Sequence, residues 1–273
     1  MHLPRTVSAA LAMSGLMPLE AKLLLAHVLG CDRVWLSAHG EAGLTAEQAR
    51  AFDALVRRRH QGEPIAYLTG RREFFGLELE ITPDVLIPRP ETELLVELAL
   101  GWLDRNAPER VLDLGCGSGA VALAIAHERP RVNVLGVDVS RAAVALARRN
   151  AERLALANAR FIESDWLARV PRERFGVIVA NPPYVAEDDP HLGQGDLRYE
   201  PPLALSPGGD GLDAVRAIVA AAPAYIAPRG ALAVEHGHDQ AQAVQMLLRD
   251  AGFESIASAR DLAGIPRVTY GRL

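Results

Sequence analysis

Cysteine is nearly missing from this chain: Cys31 and Cys116 are the only two in 273 residues. Two thiols are too few for a disulfide framework or a zinc site, so a reducing, cytoplasmic setting is expected. Long apolar runs are lacking as well. The uncharged stretch from Thr6 to Leu19 is broken by Ser14, Gly15 and Pro18. It is too short to cross a bilayer and makes a poor signal peptide, so no membrane partner is expected. Positive charge is not in excess, with 29 Lys and Arg against 34 Asp and Glu, a net charge of −5. That balance argues against a general binder of nucleic acid or of anionic membrane. Internal repeats and low-complexity tracts are absent. What remains is 49% apolar and 23% charged residues, the composition of an ordinary globular protein. The length suits one large domain or two unequal ones with a sizeable core.

The pattern divides the chain into a helical part over residues 1–70, a link over 71–86 and an alternating part over 87–273. In the first part, Pro18-Leu19-Glu20 opens a helix that Gly30 closes. Thr45-x-x-Gln48 reads as a capping box for a helix ending in Arg57-Arg58-Arg59-His60, a cationic end expected to be solvated. Glu73 to Ile81, with Phe74-Phe75-Gly76 ahead of the alternating Leu77, Leu79 and Ile81, reads as a small hairpin.

From a helix near Leu94 to Leu103 onward, strands and helices alternate. Strands are expected at Val111–Leu114, Val132–Val137, around Phe161 and at Val177–Ala180, with helices at Ala120–His127 and Arg141–Leu154 between them. Val144, Ala147, Ala151 and Leu154 fall on one helical face. This is the pattern of an α/β, doubly wound, mostly parallel sheet. Residues 185–210 show no periodicity and are rich in Pro, Gly and Asp, the mark of a functional or a disordered loop. Helices near Leu212–Ile226 and Gln240–Ala251 flank a strand at Ala231–Glu235. Strands near Phe253–Ala259 and Arg267–Tyr270 close the chain as an antiparallel edge pair.

Two stretches carry chemistry. Val111-Leu112-Asp113-Leu114-Gly115-Cys116-Gly117-Ser118-Gly119 is a strand, a glycine-rich turn and a helix start. Such a turn lets a ligand approach the backbone, with N–H groups facing it. Asp138, at the end of the next strand, stands where a carboxylate accepts from ribose hydroxyls. Together they imply a nucleoside cofactor. The glycines read G-x-G-x-G after Asp113, which departs from the dinucleotide spacing and disfavours a dehydrogenase. The second stretch is Val177-Ile178-Val179-Ala180-Asn181-Pro182-Pro183-Tyr184, an apolar strand stopped by two prolines that cannot donate to a ladder. It delivers to the sheet edge an amide, prolyl carbonyls and an aromatic ring. These parts suit a planar amino or amide nitrogen: two acceptors for its N–H groups and the Tyr184 ring over its face.

These motifs resemble the class I S-adenosylmethionine-dependent methyltransferases. With Ile87-Pro88-Arg89-Pro90-Glu91-Thr92-Glu93, Ser164-Asp165-Trp166, Tyr199-Glu200-Pro201 and Gly208-Gly209-Asp210-Gly211-Leu212 in order, the chain resembles the peptide chain release factor glutamine methyltransferases over nearly its whole length. The resemblance implies a seven-stranded class I sheet, S-adenosylmethionine as cofactor and the Gly-Gly-Gln loop of release factors as partner. It places Gly115, Cys116, Gly117, Ser118 and Gly119 around the methionine part, Asp138 on the ribose, and Asp165 and Trp166 beside the adenine. Asn181, Pro182, Pro183 and Tyr184 would grip the substrate amide, with Asn181, Pro182 and Tyr184 catalytic and Asn181 also bordering the cofactor. The 1–70 domain would dock the substrate, and a monomer without direct nucleic-acid contact is expected.

The family often has Thr where this chain has Cys116, a small filler rather than a nucleophile. Glu91, Glu93 and Glu200 are expected as solvated carboxylates, and Glu235-His236-Gly237-His238 as a strand end without a metal. Two other readings share the motifs. One is a methyltransferase acting on adenine amino groups of DNA or RNA, disfavoured by the net charge and by the lack of a basic recognition domain. The other is a non-catalytic cofactor-binding module, which would have no use for an amide clamp.

Overall fold

The structure is a computed structural model that describes residues 6–104, 107, 109–187, 189–190, 195–206 and 208–273. Two compact units are present: Met1–Arg71 with Gly193–Tyr199, and Arg72–Leu192 with Glu200–Leu273.

The first unit is helical: α1 (Val7–Met13), α2 (Pro18–Leu29), α3 (Arg33–Ala38), α4 (Ala46–His60) and α5 (Ile65–Thr69). Local chemistry sets its helix ends. Thr45 and Gln48 close a reciprocal capping box at α4, with bonds of 3.1 and 2.9 Å, and Asp32 caps α3. Gly30 ends α2 in the left-handed conformation, φ 64°. Val7, Leu24, Leu25, Leu36, Phe52 and Val56 form the core. At the basic end of α4, Arg57, Arg58 and His60 are exposed as expected from sequence, and Arg59 is the exception. Arg59 is only 20% exposed at its side chain, and it pairs with Glu20 at 2.8 Å and with Asp196 at 3.1 Å. Arg58 pairs with Glu63, and Tyr199 donates to the Gln61 carbonyl at 2.9 Å. Arg59 and the Gln61 carbonyl therefore fasten a segment from late in the chain onto the helical unit.

A hairpin of β1 (Arg71–Phe74) and β2 (Leu77–Glu80) precedes the second unit's main sheet. There follow α6 (Glu93–Trp102), β3 (Arg110–Leu114), α7 (Ala120–Glu128), β4 (Asn133–Asp138), α8 (Arg141–Arg153), β5 (Ala159–Glu163), β6 (Phe175–Ala180), α9 (Pro202–Leu205), α10 (Asp213–Ala221), β7 (Ile226–Glu235), α11 (Ala241–Asp250), β8 (Glu254–Arg260) and β9 (Pro266–Arg272). The seven-stranded sheet runs β5-β4-β3-β6-β7-β9-β8. It is parallel except for β9, which is antiparallel to both β7 and β8. Strands such as Val177–Ala180, at most 1% exposed, are apolar on both faces because helices cover both.

The structure moves several expected boundaries. The helix read over 212–226 stops at Ala221, passes into a 3-10 turn at Ala222–Ala224 and gives way to β7 at Ile226. Pro223 has no N–H with which to continue the ladder. The final strands form the expected antiparallel pair at one edge of the sheet, with β8 outermost and β9 joining it to β7. The loop over 185–210 contains a 3-10 turn at Leu197–Tyr199 and the short α9; its residues 188, 191–194 and 207 lie outside the described residues. Asn150, which the sequence did not single out, is fully buried on α8. It accepts from Glu80 N at 2.7 Å and donates to the carbonyls of Glu80 and Ser118, each at 3.0 Å. That single amide ties the hairpin to the glycine turn.

Candidate active site

Leu114 is in register with Val137 on one side and with Ala180 on the other. Gly115, Asp138 and Asn181 therefore leave the sheet side by side, where the strand order reverses on either side of β3. That crevice is where open α/β sheets take their ligands. A cavity of about 710 Å³ lies there, lined by Gly115, Cys116, Gly117 and Ser118, by Asp138, Asp165 and Trp166, and by Asn181 and Pro183.

The glycine turn is shaped for close approach. Gly115 and Gly117 have φ of 76° and 53°, a region that other residues avoid. A Cβ on Gly117 would meet nothing within 4 Å, so the backbone there borders open space. A Cβ on Gly115 would stand 3.5 Å from the Trp166 ring and 3.6 Å from the Asn181 carbonyl oxygen, narrowing the cradle. Gly119 does not line the cavity. It opens α7 at φ 85°, where a Cβ would press to 3.1 Å from Leu123 and Ala147.

Asp138 uses both carboxylate oxygens on backbone donors: Gly117 N to Oδ2 at 2.9 Å and Ser140 N to Oδ1 at 2.8 Å. Each oxygen keeps a second lone pair for a ligand hydroxyl. Burial holds this carboxyl above its ordinary range. Asp113 is fully buried and accepts from Ala122 N at 3.1 Å. Burial pushes it up to about 7, against the Ala122 hydrogen bond and with help from the charge of Asp138. Burial likewise raises the Cys116 thiol well above its usual range, which keeps it protonated and unreactive. Trp166 sits at φ 42°, strained for a bulky residue. The Ser164 hydroxyl holds it by donating to the Trp166 carbonyl at 2.8 Å while accepting from Arg169 N at 2.9 Å.

The Asn181–Tyr184 residues do not share one wall. Asn181 and Pro183 line the cavity, whereas Pro182 and Tyr184 do not. An extended backbone sends successive side chains to opposite sides. The Tyr184 hydroxyl donates instead to Glu235 Oε1 at 3.4 Å, and burial raises its pKa above the ordinary value. Its carbonyl accepts from Gln240 Nε2 at 3.1 Å. Asn181 Nδ2 donates to the Thr92 hydroxyl at 3.1 Å. No hydrogen bond from the described residues reaches its Oδ1. The amide thus presents an acceptor at the cavity.

Sequence reasoning gave no role to Thr92 or Gln240 and read Glu235 only as part of a strand end. Glu235 is 1% exposed and ends β7 beside Asn181, since Ala180 pairs with Val234. Burial pushes it up to about 7, opposed by the nearby Thr92 and Tyr184 hydroxyls. Its Oε2 is buried without a hydrogen-bond partner. An acid closing the otherwise apolar run Ala231–Val234 was the signal available. Glu200 corrects an expectation. Rather than a solvated carboxylate, it is fully buried at its side chain, with Arg89 Nη2 at 2.7 and 2.8 Å from its oxygens. Glu91 is exposed, and Glu93 accepts from Phe75 N at 3.0 Å. His236 is buried, with its ring nitrogens 2.8 Å from the Gly237 carbonyl and from the Thr269 hydroxyl. Among the described residues no three His, Cys, Asp or Glu side chains gather as a metal site would need. Nor is any helix among them long and apolar enough to cross a membrane.

Known proteins place this geometry in a family. Residues 3–70 match the PrmC N-terminal domain model, and residues 91–196 match the Methyltransferase small domain model. A release factor glutamine methyltransferase of Burkholderia pseudomallei is 54% identical over 276 residues, spanning 99% of this chain and 97% of its own. The chain belongs to the release factor glutamine methyltransferase family. A second release factor glutamine methyltransferase, from Xylella fastidiosa, is 53% identical over 93% of this chain and 92% of its own. A solved methyltransferase from Pyrococcus furiosus, 20% identical, overlays with a TM-score of 0.55 across 79% of this chain and 96% of that one. It shares the fold. The class I sheet implied by the sequence motifs is the sheet observed here, and S-adenosylmethionine is the cofactor of this family's methyltransferase domain.

Proposed function

We propose that this protein transfers a methyl group from S-adenosylmethionine to the side-chain amide nitrogen of the glutamine in the Gly-Gly-Gln loop of peptide chain release factors. The observation that carries the reading is the Asn181 amide. Its nitrogen is committed to Thr92, so its oxygen is offered to the cavity beside the glycine turn. The residues present fit the cofactor. Gly115 to Ser118 would take its amino-acid part against an open backbone surface, Asp138 would accept from the ribose hydroxyls, and Asp165 with Trp166 would flank the adenine. Bound there, the cofactor supplies an activated methyl group.

The chain's own work is placement. A primary amide is a poor nucleophile because its lone pair is delocalised. Asn181 Oδ1 and a prolyl carbonyl, accepting the two N–H groups, hold the nitrogen in line and stabilise positive charge growing on it. The alkylated nitrogen is acidic, so its proton leaves without a strong base. Glutamine between glycines reaches a narrow cavity without unstacking anything, whereas a nucleobase must first leave its stack. The net charge of −5 adds little attraction for a polyanion. The helical unit of α1–α5 would dock the release factor, and the protein would act as a cytoplasmic monomer.

The test is methyl transfer to a release factor and to variants of its motif. Glutamine should be methylated. Asparagine, one methylene shorter, should lose well over about tenfold in rate because near-attack placement is lost. Glutamate, with no N–H to give, should not react. Label entering RNA or DNA instead would favour the nucleobase reading.

A further inference from the structure

We propose that Arg89 and Glu200 are positioning residues for methyl transfer, their ion pair closing a frame of three chain segments that holds the Asn181 amide at the cavity. The role of Asn181 as the substrate acceptor rests on the amide-methylation reading above; the frame itself does not.

The three segments come from distant parts of the chain, and each carries two prolines: Pro88 and Pro90, Pro182 and Pro183, Pro201 and Pro202. A prolyl ring fixes its own φ and restricts the residue before it, so each segment is stiff. Each is also tied to the other two. Asn181 Nδ2 donates to the Thr92 hydroxyl at 3.1 Å, joining the second segment to the first. Val185 N donates to the Leu205 carbonyl at 3.0 Å, joining the second to the third. Arg89 Nη2 lies 2.7 and 2.8 Å from the Glu200 oxygens, joining the first to the third. All three segments line the cavity, through Pro88 and Thr92, through Asn181 and Pro183, and through Pro201 and Ala204. Arg89 and Glu200 do not line it, so they act on the reaction only through what they hold.

Stiff members with three joints make a rigid triangle; with two joints they hinge. Thr92 N donates to the Arg89 carbonyl at 3.1 Å across a single 3-10 turn at Pro90–Thr92. A shift of Arg89 therefore moves the hydroxyl on which the Asn181 amide rests. Thr92 is 4% exposed and the Glu200 side chain is fully buried, which leaves water little room to bridge either joint. Stability is a poor reason to keep such a pair, because a buried ion pair gains little over apolar side chains of similar volume. Fixing one arrangement among several is the better-attested use of buried charge. Here the arrangement fixed is that of the clamp.

The test compares Arg89→Met, Glu200→Gln and the paired variant Arg89→Met with Glu200→Leu, all in the full-length protein. Methyl transfer to a release factor, cofactor affinity by calorimetry and melting temperature are measured for each. Arg89→Met leaves a buried carboxylate without its cation and should lower both melting temperature and kcat. The paired variant should recover the melting temperature. Its kcat should stay at least about tenfold below wild type, the scale of a displaced reacting group, with cofactor affinity kept. The ¹⁵N resonances of the Asn181 side-chain amide, identified by their loss in Asn181→Asp, should shift in the same variant. Glu200→Gln keeps the shape of the side chain and carries the test should the paired variant fail to fold; the same resonances should shift and kcat should fall. Either variant turning over at the wild-type rate, or leaving the Asn181 resonances unmoved, would overturn the proposal. Wild type that leaves release factor unmethylated while the Asn181 resonances respond to loss of the pair would instead overturn the substrate reading and leave the frame standing.

Discussion

A few side chains divide the work at the site, and each has its own test. Asn181→Ala removes the acceptor at the cavity but none of the bonds that Asp138 makes to the glycine turn. Methyl transfer should therefore fall by about 100-fold or more, the scale for one lost transition-state partner, while calorimetry shows cofactor affinity largely kept. Equal losses in both would make Asn181 a cofactor ligand. Asp113 makes a prediction about pH. Its folded pKa lies near 7 against an ordinary 3.8. As pH rises through that window the unfolded chain releases this proton while the folded chain keeps it. Stability thus falls across the window, with the full cost present above about 7. Asp113→Asn carries no such proton and should gain in melting temperature relative to wild type between about pH 4 and about pH 8. A gap independent of pH would count against a buried, protonating Asp113. Asn181 was legible in the sequence because the strand and the prolines that announce it are local. Thr92, 89 residues away from Asn181, and Glu235, 51 residues from Tyr184, join it only through tertiary packing, which no local pattern encodes.

Elements fix what the side chains cannot fix for themselves. The turn after β6 is held from outside by the loop ahead of α10 and by the start of α11. Gly211 has φ 80°, and a Cβ there would overlap the Tyr184 carbonyl. Gln240, just before α11, donates to that same carbonyl while accepting from Gly237 N at 2.9 Å. Gly211→Ala should displace the Tyr184 backbone and lower transfer by more than about tenfold. The left-handed strain should cost about 1–3 kcal/mol of stability, and cofactor binding should remain, since the Gly115–Ser118 turn lies elsewhere. Transfer at the wild-type rate in this variant would show that the turn holds its shape unaided. Element types were readable from period and punctuation, as at α2 with its Pro18 and Gly30. Where one element gives way directly to the next, as from α10 to β7, the apolar run through Ile226 hid the change that Pro223 enforces.

At the scale of the molecule, the chain devotes one unit to a cofactor crevice and another to helices capped and cross-braced by charge. The Arg57–His60 stretch shows the limit of reading charge in one dimension. As a sequence it is a cationic helix end, and in the fold Arg59 grips Asp196, which arrives 137 residues later. The central claim concerns chemistry, and tandem mass spectrometry of a release factor after incubation with the full-length protein and S-adenosylmethionine tests it most directly. The account expects one added methyl group, located on the side-chain nitrogen of the Gly-Gly-Gln glutamine and missing when Asn181→Ala replaces the wild-type protein. A methyl group found on another residue, or an unmodified release factor beside methylated nucleic acid, would contradict it.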